Sequence, residues 1–222
     1  LGFYLSDHPL KGYEHIARLW TNGSLSQMPA LLSEHKAKQS TDNSKQKYDF
    51  RNRDGNKKRV VVSGIITESR ELITKKGTRM AFARLEDLTA NLELVIFPDS
   101  YAKLESLLKE EKPLLVGGFL EGEEGGAKII VDSVGLLEEA IRKTKKMVLH
   151  LDLLDEVHYE KLYSVLTGRT GKVPLELWLK LGDLGQDVLL ESGGLTGVQV
   201  DQDFLEEIHT LFGHTQFIEM QI

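Results

Sequence analysis

Between residues 60 and 140, strand-forming runs and turns follow one another so closely that only a small, tightly curled sheet accommodates them. Val60–Thr67 is a β-branched run carrying Gly64 inside it. Lys75-Lys76-Gly77-Thr78 is a turn with glycine at its tip, and Met80–Asp87 alternates as a second strand. In a third strand Leu92, Leu94 and Ile96 face one way, and Glu93, Val95 and Phe97 the other. A short helix follows, capped by Asp99 or Ser100, with Tyr101, Leu104, Leu107 and Leu108 on its apolar face. Pro113 ends that link. Leu114–Leu120 is a fourth strand, 121–126 an acidic, glycine-rich turn, and Ala127–Leu136 a fifth strand.

The order is thus β-β-β-α-β-β within residues 60–140. A helix between the third and fourth of five strands is the arrangement of an OB-fold β barrel. Gly64 in the first strand suits the sharp coiling that a small barrel demands.

Residues 141–222 change pattern. Met147–Leu153 is a predicted strand and Asp155–Thr167 a predicted helix, stopped by Gly168. Two strands, Val173–Leu181 and Val188–Glu191, flank Gly182-Asp183-Leu184-Gly185. Asp203 and Glu206 have the spacing of a capping box and open a helix bearing Phe204, Leu205, Ile208, Leu211 and Phe212. Gly213 ends it, and Ile218, Met220 and Ile222 alternate as a last strand. This β-α-β-β-α-β order predicts a small α/β domain of ferredoxin-like type.

The first 59 residues divide in two. Residues 1–34 read as a helical connector, with Tyr13, Ile16, Leu19 and Trp20 on one face and a second apolar patch at Met28, Leu31 and Leu32. Residues 35–59 carry nine Lys/Arg and two aromatic residues. So polar a stretch buries too little apolar area to offset chain entropy, and it reads as a basic linker. The run Lys57-Lys58-Arg59 is assigned to that linker, although such a run also suits a nucleic-acid backbone.

Charge narrows the function classes. Residues 1–59 hold 11 basic and 6 acidic side chains, residues 60–140 hold 9 and 15, and residues 141–222 hold 8 and 13. A nucleic-acid module usually shows a basic footprint. Here the only basic surplus precedes the barrel, so strong nonspecific DNA binding by the remainder is not expected. The absence of cysteine excludes disulfides and thiolate metal sites. No cofactor is expected. No His-Glu-x-x-His spacing occurs, and His150 and His158 beside Asp152 and Asp155 form the only grouping of note. No apolar run reaches the roughly 20 residues of a membrane helix, and the N-terminus lacks signal-peptide character. The expectation is a cytoplasmic location with no membrane partner. The first residue, Leu1, suggests a piece of a longer chain.

Three segments resemble the alpha subunit of bacterial DNA polymerase III. They are Leu1-Gly2-Phe3-Tyr4-Leu5-Ser6-Asp7-His8-Pro9-Leu10, with Asp7 where that family usually has glycine; residues 75–87, from the Lys75 turn through Asp87; and Leu92-Glu93-Leu94-Val95-Ile96-Phe97-Pro98. The residues after 147, with Val173-Pro174-Leu175 and the final helix and strand, fit the family's tail. The resemblance implies a non-catalytic C-terminal region: an OB domain near single-stranded template, and a terminal domain at 141–222 binding the tau subunit of the clamp loader. The other partners it implies are those of the polymerase III holoenzyme. The polymerase active site of the parent enzyme would lie upstream.

The candidate nucleic-acid residues are Lys75, Lys76, Arg79, Phe82, Arg84 and Phe97. The cations of the first inter-strand loop suit phosphates, and OB modules often use that loop for oligonucleotides. Phe82 and Phe97 offer stacking faces, although phenylalanine is usually buried and a core position is favoured for both. Thr167-Gly168-Arg169-Thr170-Gly171-Lys172 fails as a phosphate loop, because the glycine spacing is short and it joins helix to strand. Gln216-Phe217-Ile218-Glu219-Met220 fails as a clamp-binding peptide, because Glu219 sits where an apolar residue is required. The alternative function is an OB-type anticodon-binding or other RNA-binding appendage of an aminoacyl-tRNA synthetase-like enzyme.

Overall fold

The computed structural model describes residues 10–42, 57–109, 111–123, 126–151, 156–181, 186–190, 194, 196–214 and 217–221. The chain forms two compact units. One contains Trp20–Leu136; the other joins Gly12–Leu19 to Leu137–Ile222. The N-terminal stretch read as one connector is therefore shared between the two.

In the first unit, β1 (Arg59–Ile73), β2 (Arg79–Glu86), β3 (Asn91–Ile96), β4 (Leu114–Glu123) and β5 (Gly126–Leu136) close into a barrel in the order β1-β2-β3-β5-β4. β3 and β5 run parallel and the remaining neighbours antiparallel. Helix α3 (Pro98–Leu104) lies between β3 and β4, which completes the OB-fold. Its N-cap is Phe97, without a side-chain cap, and Pro98 opens the first turn. The expected caps do other work: Ser100 Oγ instead donates to the Val131 carbonyl at 3.1 Å. Alternation along the strands sends Val62, Leu85, Leu94, Ile96, Leu114, Val116 and Ile129 into one core. Gly64 sits where β1 crosses β2. A Cβ there would lie 2.6 Å from Leu85 Cγ and 2.8 Å from the Glu86 carbonyl oxygen, so only glycine allows the approach.

A register shift between Ile66 and Glu68 inserts one residue, Thr67, into β1. A one-residue insertion exchanges the faces of everything beyond it. β1 therefore presents Glu68, Arg70 and Leu72 opposite Arg84, Phe82 and Met80. This second half of β1 extends well past the predicted end at Thr67 and is exposed throughout.

A 3-10 turn (Leu25–Gln27) and helix α2 (Met28–Asp42) complete this core. Leu25, Met28 and Leu32 are buried among the barrel's inward residues. The Leu25 amide donates to Asp87 Oδ2 at 2.8 Å, and the Asn22 side chain accepts from the Val61 amide at 2.5 Å. Two parts of the predicted linker differ from expectation. Residues 35–42 continue α2, and 57–59 join the barrel: Lys57 pairs with Glu121 at 3.0 Å, and Arg59 opens β1 and pairs with Asp132 at 2.9 Å. The rest of the linker, 43–56, and the segment 1–9 lie outside the described residues.

The second unit contains α1 (Glu14–Ala17), α4 (Leu137–Arg142), β6 (Lys146–Leu151), α5 (Glu156–Gly168), β7 (Thr170–Leu181), β8 (Gln186–Leu190), β9 (Gly197–Val198), α6 (Gln202–Phe212) and β10 (Ile218–Gln221). The main sheet order is β10-β6-β7-β8, with β9 also pairing β7. The succession β-α-β-β-α-β follows the reading, apart from the short β9, but the ferredoxin-like assignment does not hold. That fold splits its β-α-β unit with an intervening strand, whereas β6 and β7 are direct parallel neighbours here. Succession along a chain does not encode which strands lie side by side. The α6 cap also differs from expectation. Asp201, not Asp203, accepts the Phe204 amide at 2.9 Å, and Arg169 holds Asp201 at 3.1 Å. Gly213 ends α6 as predicted.

Candidate nucleic-acid interface

The exterior of β1, β2 and β3 carries the candidate site, and the strand register arranges it in rows. Directly opposite residues of paired strands share a face. One row runs Arg70, Phe82 and the buried Val95 across the three strands and continues to Ile130 on β5 and Phe119 on β4. A second row runs Glu68, Arg84, Glu93 and continues to Lys128 and Glu121. Aromatic and aliphatic side chains thus form one band, and charges of alternating sign form the next.

An open groove of about 380 Å³ is set into these rows, lined by Glu68, Ser69, Arg70, Phe82, Arg84 and Glu93. Phe82 is half-buried, and the Arg70 guanidinium carbon lies 5.9 Å from its ring centroid. A cation over an aromatic face is favourable, and the pair presents a flat, polarised surface to a further planar group. Arg84 pairs with Glu68 at 3.8 Å, both side chains exposed.

The hairpin between β1 and β2 projects beyond the barrel. The Thr74 amide donates to the Thr78 carbonyl at 2.8 Å, the Gly77 amide donates to Thr74 at 2.9 Å, and the two threonine hydroxyls lie 2.6 Å apart. Gly77 has φ +78°, a region other residues enter only with strain. The turn holds Lys75 and Lys76 out in solvent, and among the described residues no carboxylate pairs with either. Leu72 and Ile73, at the base of the hairpin, are exposed as well.

The six residues chosen from sequence occupy four places. Phe82 and Arg84 meet in the groove. Lys75 and Lys76 stand on the hairpin. Arg79 turns away, toward α3: it makes a bidentate pair with Glu105 at 3.0 and 2.8 Å and lies 5.4 Å from the Tyr101 ring centroid. Donating these hydrogen bonds to the Glu105 carboxylate raises its already high affinity for a proton. Burial, aided by the adjacent Glu71 carboxylate, pushes the Tyr101 hydroxyl up to about 12. Phe97 lies past the end of β3 with 48% of its surface exposed, away from the favoured core position, and Phe82 is half-buried. Phe97 belongs to the outward parity of β3, and Phe82 to the outward parity of β2. Arg70, outside the residues singled out from sequence, lies in β1 past its predicted end at Thr67. The alternation Glu68, Arg70, Leu72 was the available signal.

Comparison with known proteins agrees with this architecture. Residues 60–137 match the model of the OB-fold nucleic acid binding domain. DNA polymerase III subunit alpha of Thermus aquaticus is 35% identical over 133 residues, covering 59% of this chain and 11% of that protein. The Pseudomonas aeruginosa subunit is 25% identical over 219 residues, covering 96% and 16%, and the Aquifex aeolicus subunit is 29% identical over 219 residues, covering 95% and 16%. The resemblance read from the sequence is borne out. The chain spans between a tenth and a sixth of the length of these curated relatives.

Proposed function

We propose that this chain, similar along nearly its whole length to a stretch of DNA polymerase III subunit alpha, serves as a non-catalytic part of a replicative polymerase. In this reading the OB barrel binds single-stranded DNA weakly through the groove of β1–β3 and the Lys75-Lys76 hairpin. The unit containing residues 141–222 attaches to the tau subunit of the clamp loader, and so to the holoenzyme. The observation that carries the DNA role is the Arg70–Phe82 pair, with Arg70 exposed and Phe82 half-buried, on the barrel face that OB modules commonly use for oligonucleotides. Stacking on such a face is tolerant of sequence, as a polymerase template requires. Weak binding follows from the acidic balance of residues 60–140.

The test is a pull-down of the full chain against isolated clamp-loader subunits, with a single-stranded DNA titration on the same sample. Retention of tau and a weak, saturable anisotropy change are the expected results. Loss of either removes that half of the reading. A preference for tRNA over single-stranded DNA would favour the anticodon-binding alternative.

A further inference from the structure

Taking the groove as the DNA site, we infer that Glu68 and Glu93 are its specificity residues: they cancel Arg84 and leave stacking at Phe82 as the source of affinity. Arg84 lies directly opposite Glu68 on one side and Glu93 on the other. It pairs with Glu68 at 3.8 Å, and Glu93 is exposed. The groove's two guanidinium groups are thus matched by two carboxylates, and the groove is neutral as a whole. Beside this row, Arg70 lies over the half-buried Phe82 ring and makes no ion pair among the described residues.

The consequence separates two substrate classes. A single strand offers unstacked bases and can place one against Phe82 while its phosphates stay clear of the charged row. A duplex offers mainly phosphates from a rigid backbone, whose affinity comes from releasing counterions to unpaired cations. Against the row of Glu68, Arg84 and Glu93 that gain is small, and two carboxylates repel the approaching phosphates. The row therefore admits a base-exposing strand and rejects a duplex.

The experiment uses the full chain and a short fluorescein-labelled oligothymidylate, single-stranded or annealed to its complement, with anisotropy read between about 50 and 200 mM salt. Three proteins are compared: the parent, Glu68→Gln with Glu93→Gln, and Arg70→Ala with Phe82→Ala. The expected result for the glutamine variant is a gain in duplex affinity of about tenfold or more, with a steeper salt slope, and a smaller gain for the single strand. Equal duplex affinity in parent and glutamine variant, with a normal single-strand loss in the alanine variant, overturns the inference and leaves the site reading intact. Binding indifferent to both double substitutions overturns both. Circular dichroism of each variant verifies the fold, because all four positions lie on the barrel exterior.

Discussion

Arg79 is bound to Glu105 by two hydrogen bonds, 3.0 and 2.8 Å long, so the cation nearest the end of the β1–β2 hairpin is committed to α3. The hairpin's basic character thus resides in Lys75 and Lys76. Reversing both to glutamate should lower single-strand affinity several-fold and flatten its salt slope by about two. Arg79→Ala should change affinity far less, while lowering the melting temperature through loss of the link between β2 and α3. Anisotropy titrations and thermal melts on the same three proteins test the difference. A larger affinity loss from Arg79→Ala than from the lysine reversal would contradict this assignment.

Phe82→Ala should weaken single-strand binding by about 1–3 kcal/mol, the range of base stacking on an aromatic side chain. Because Phe82 is half-exposed on the outer face, the stability loss should stay below that of a buried phenylalanine. Leu94→Ala, in the barrel core, provides the contrast, with a large stability loss. Urea unfolding set beside anisotropy separates the two effects.

The N-terminal cap of the barrel is a structural part of it. Met28 is fully buried among barrel residues, and Met28→Ala should cost about 2–5 kcal/mol. Removing residues up to 56 should expose the same apolar surface and leave the barrel aggregation-prone. Equilibrium unfolding of the variant and light scattering of the truncated chain measure these outcomes. A truncated barrel as stable as the parent would show the cap to be dispensable.

His15 on α1 stacks against His209 on α6, with ring centroids 4.1 Å apart. Burial first, and the His209 ring second, hold the His15 imidazole below its ordinary value, while Glu206 and Glu14 act the other way and Arg18 adds to the lowering. The folded state therefore binds fewer protons than the unfolded state. Stability is full above the unfolded value of about 6.5 and declines as pH falls from there toward the lowered folded value. Melting temperatures between pH 7.5 and pH 5 should fall for the parent and fall less for His15→Gln.

Asp201 caps α6 and also holds Arg169. Asp201→Ala should cost about 1 kcal/mol from the cap alone, with a smaller further loss because Arg169 keeps only Glu207, at 3.3 Å, as its partner. Asp203→Ala, at the position favoured by spacing, should cost less. Chemical denaturation of both variants distinguishes the caps.

The barrel was legible in the sequence because alternation at Leu92–Phe97, the position of one helix and Gly64 each constrain it locally and agree. The inserted residue at Thr67 was not legible, since nothing in a run of polar residues marks where one extra residue leaves the ladder. Arg70 lies beyond the predicted end of the first strand at Thr67, so its place on the outward face depends on where that strand stops. The committed state of Arg79 depends on Glu105, 26 positions away, and pairing at that separation leaves no local trace. In the second unit the strands were readable one at a time. Their neighbours were not, because the choice between a split and an unsplit β-α-β unit rests on packing across the whole sheet.

The division of the N-terminal stretch between the units bears on how the chain folds. Gly12–Leu19 and Leu137–Ile222 form one unit, yet all of Trp20–Leu136 lies between them. In kinetic terms the second unit is discontinuous. Joining its two pieces while the barrel is unfolded means closing a loop of more than a hundred residues against chain entropy. A barrel that folds first makes that closure part of its own transition. Substitutions that slow barrel formation, Met28→Ala among them, should then delay maturation of the second unit without touching any of its residues, a form of dependence along the chain rather than across an interface.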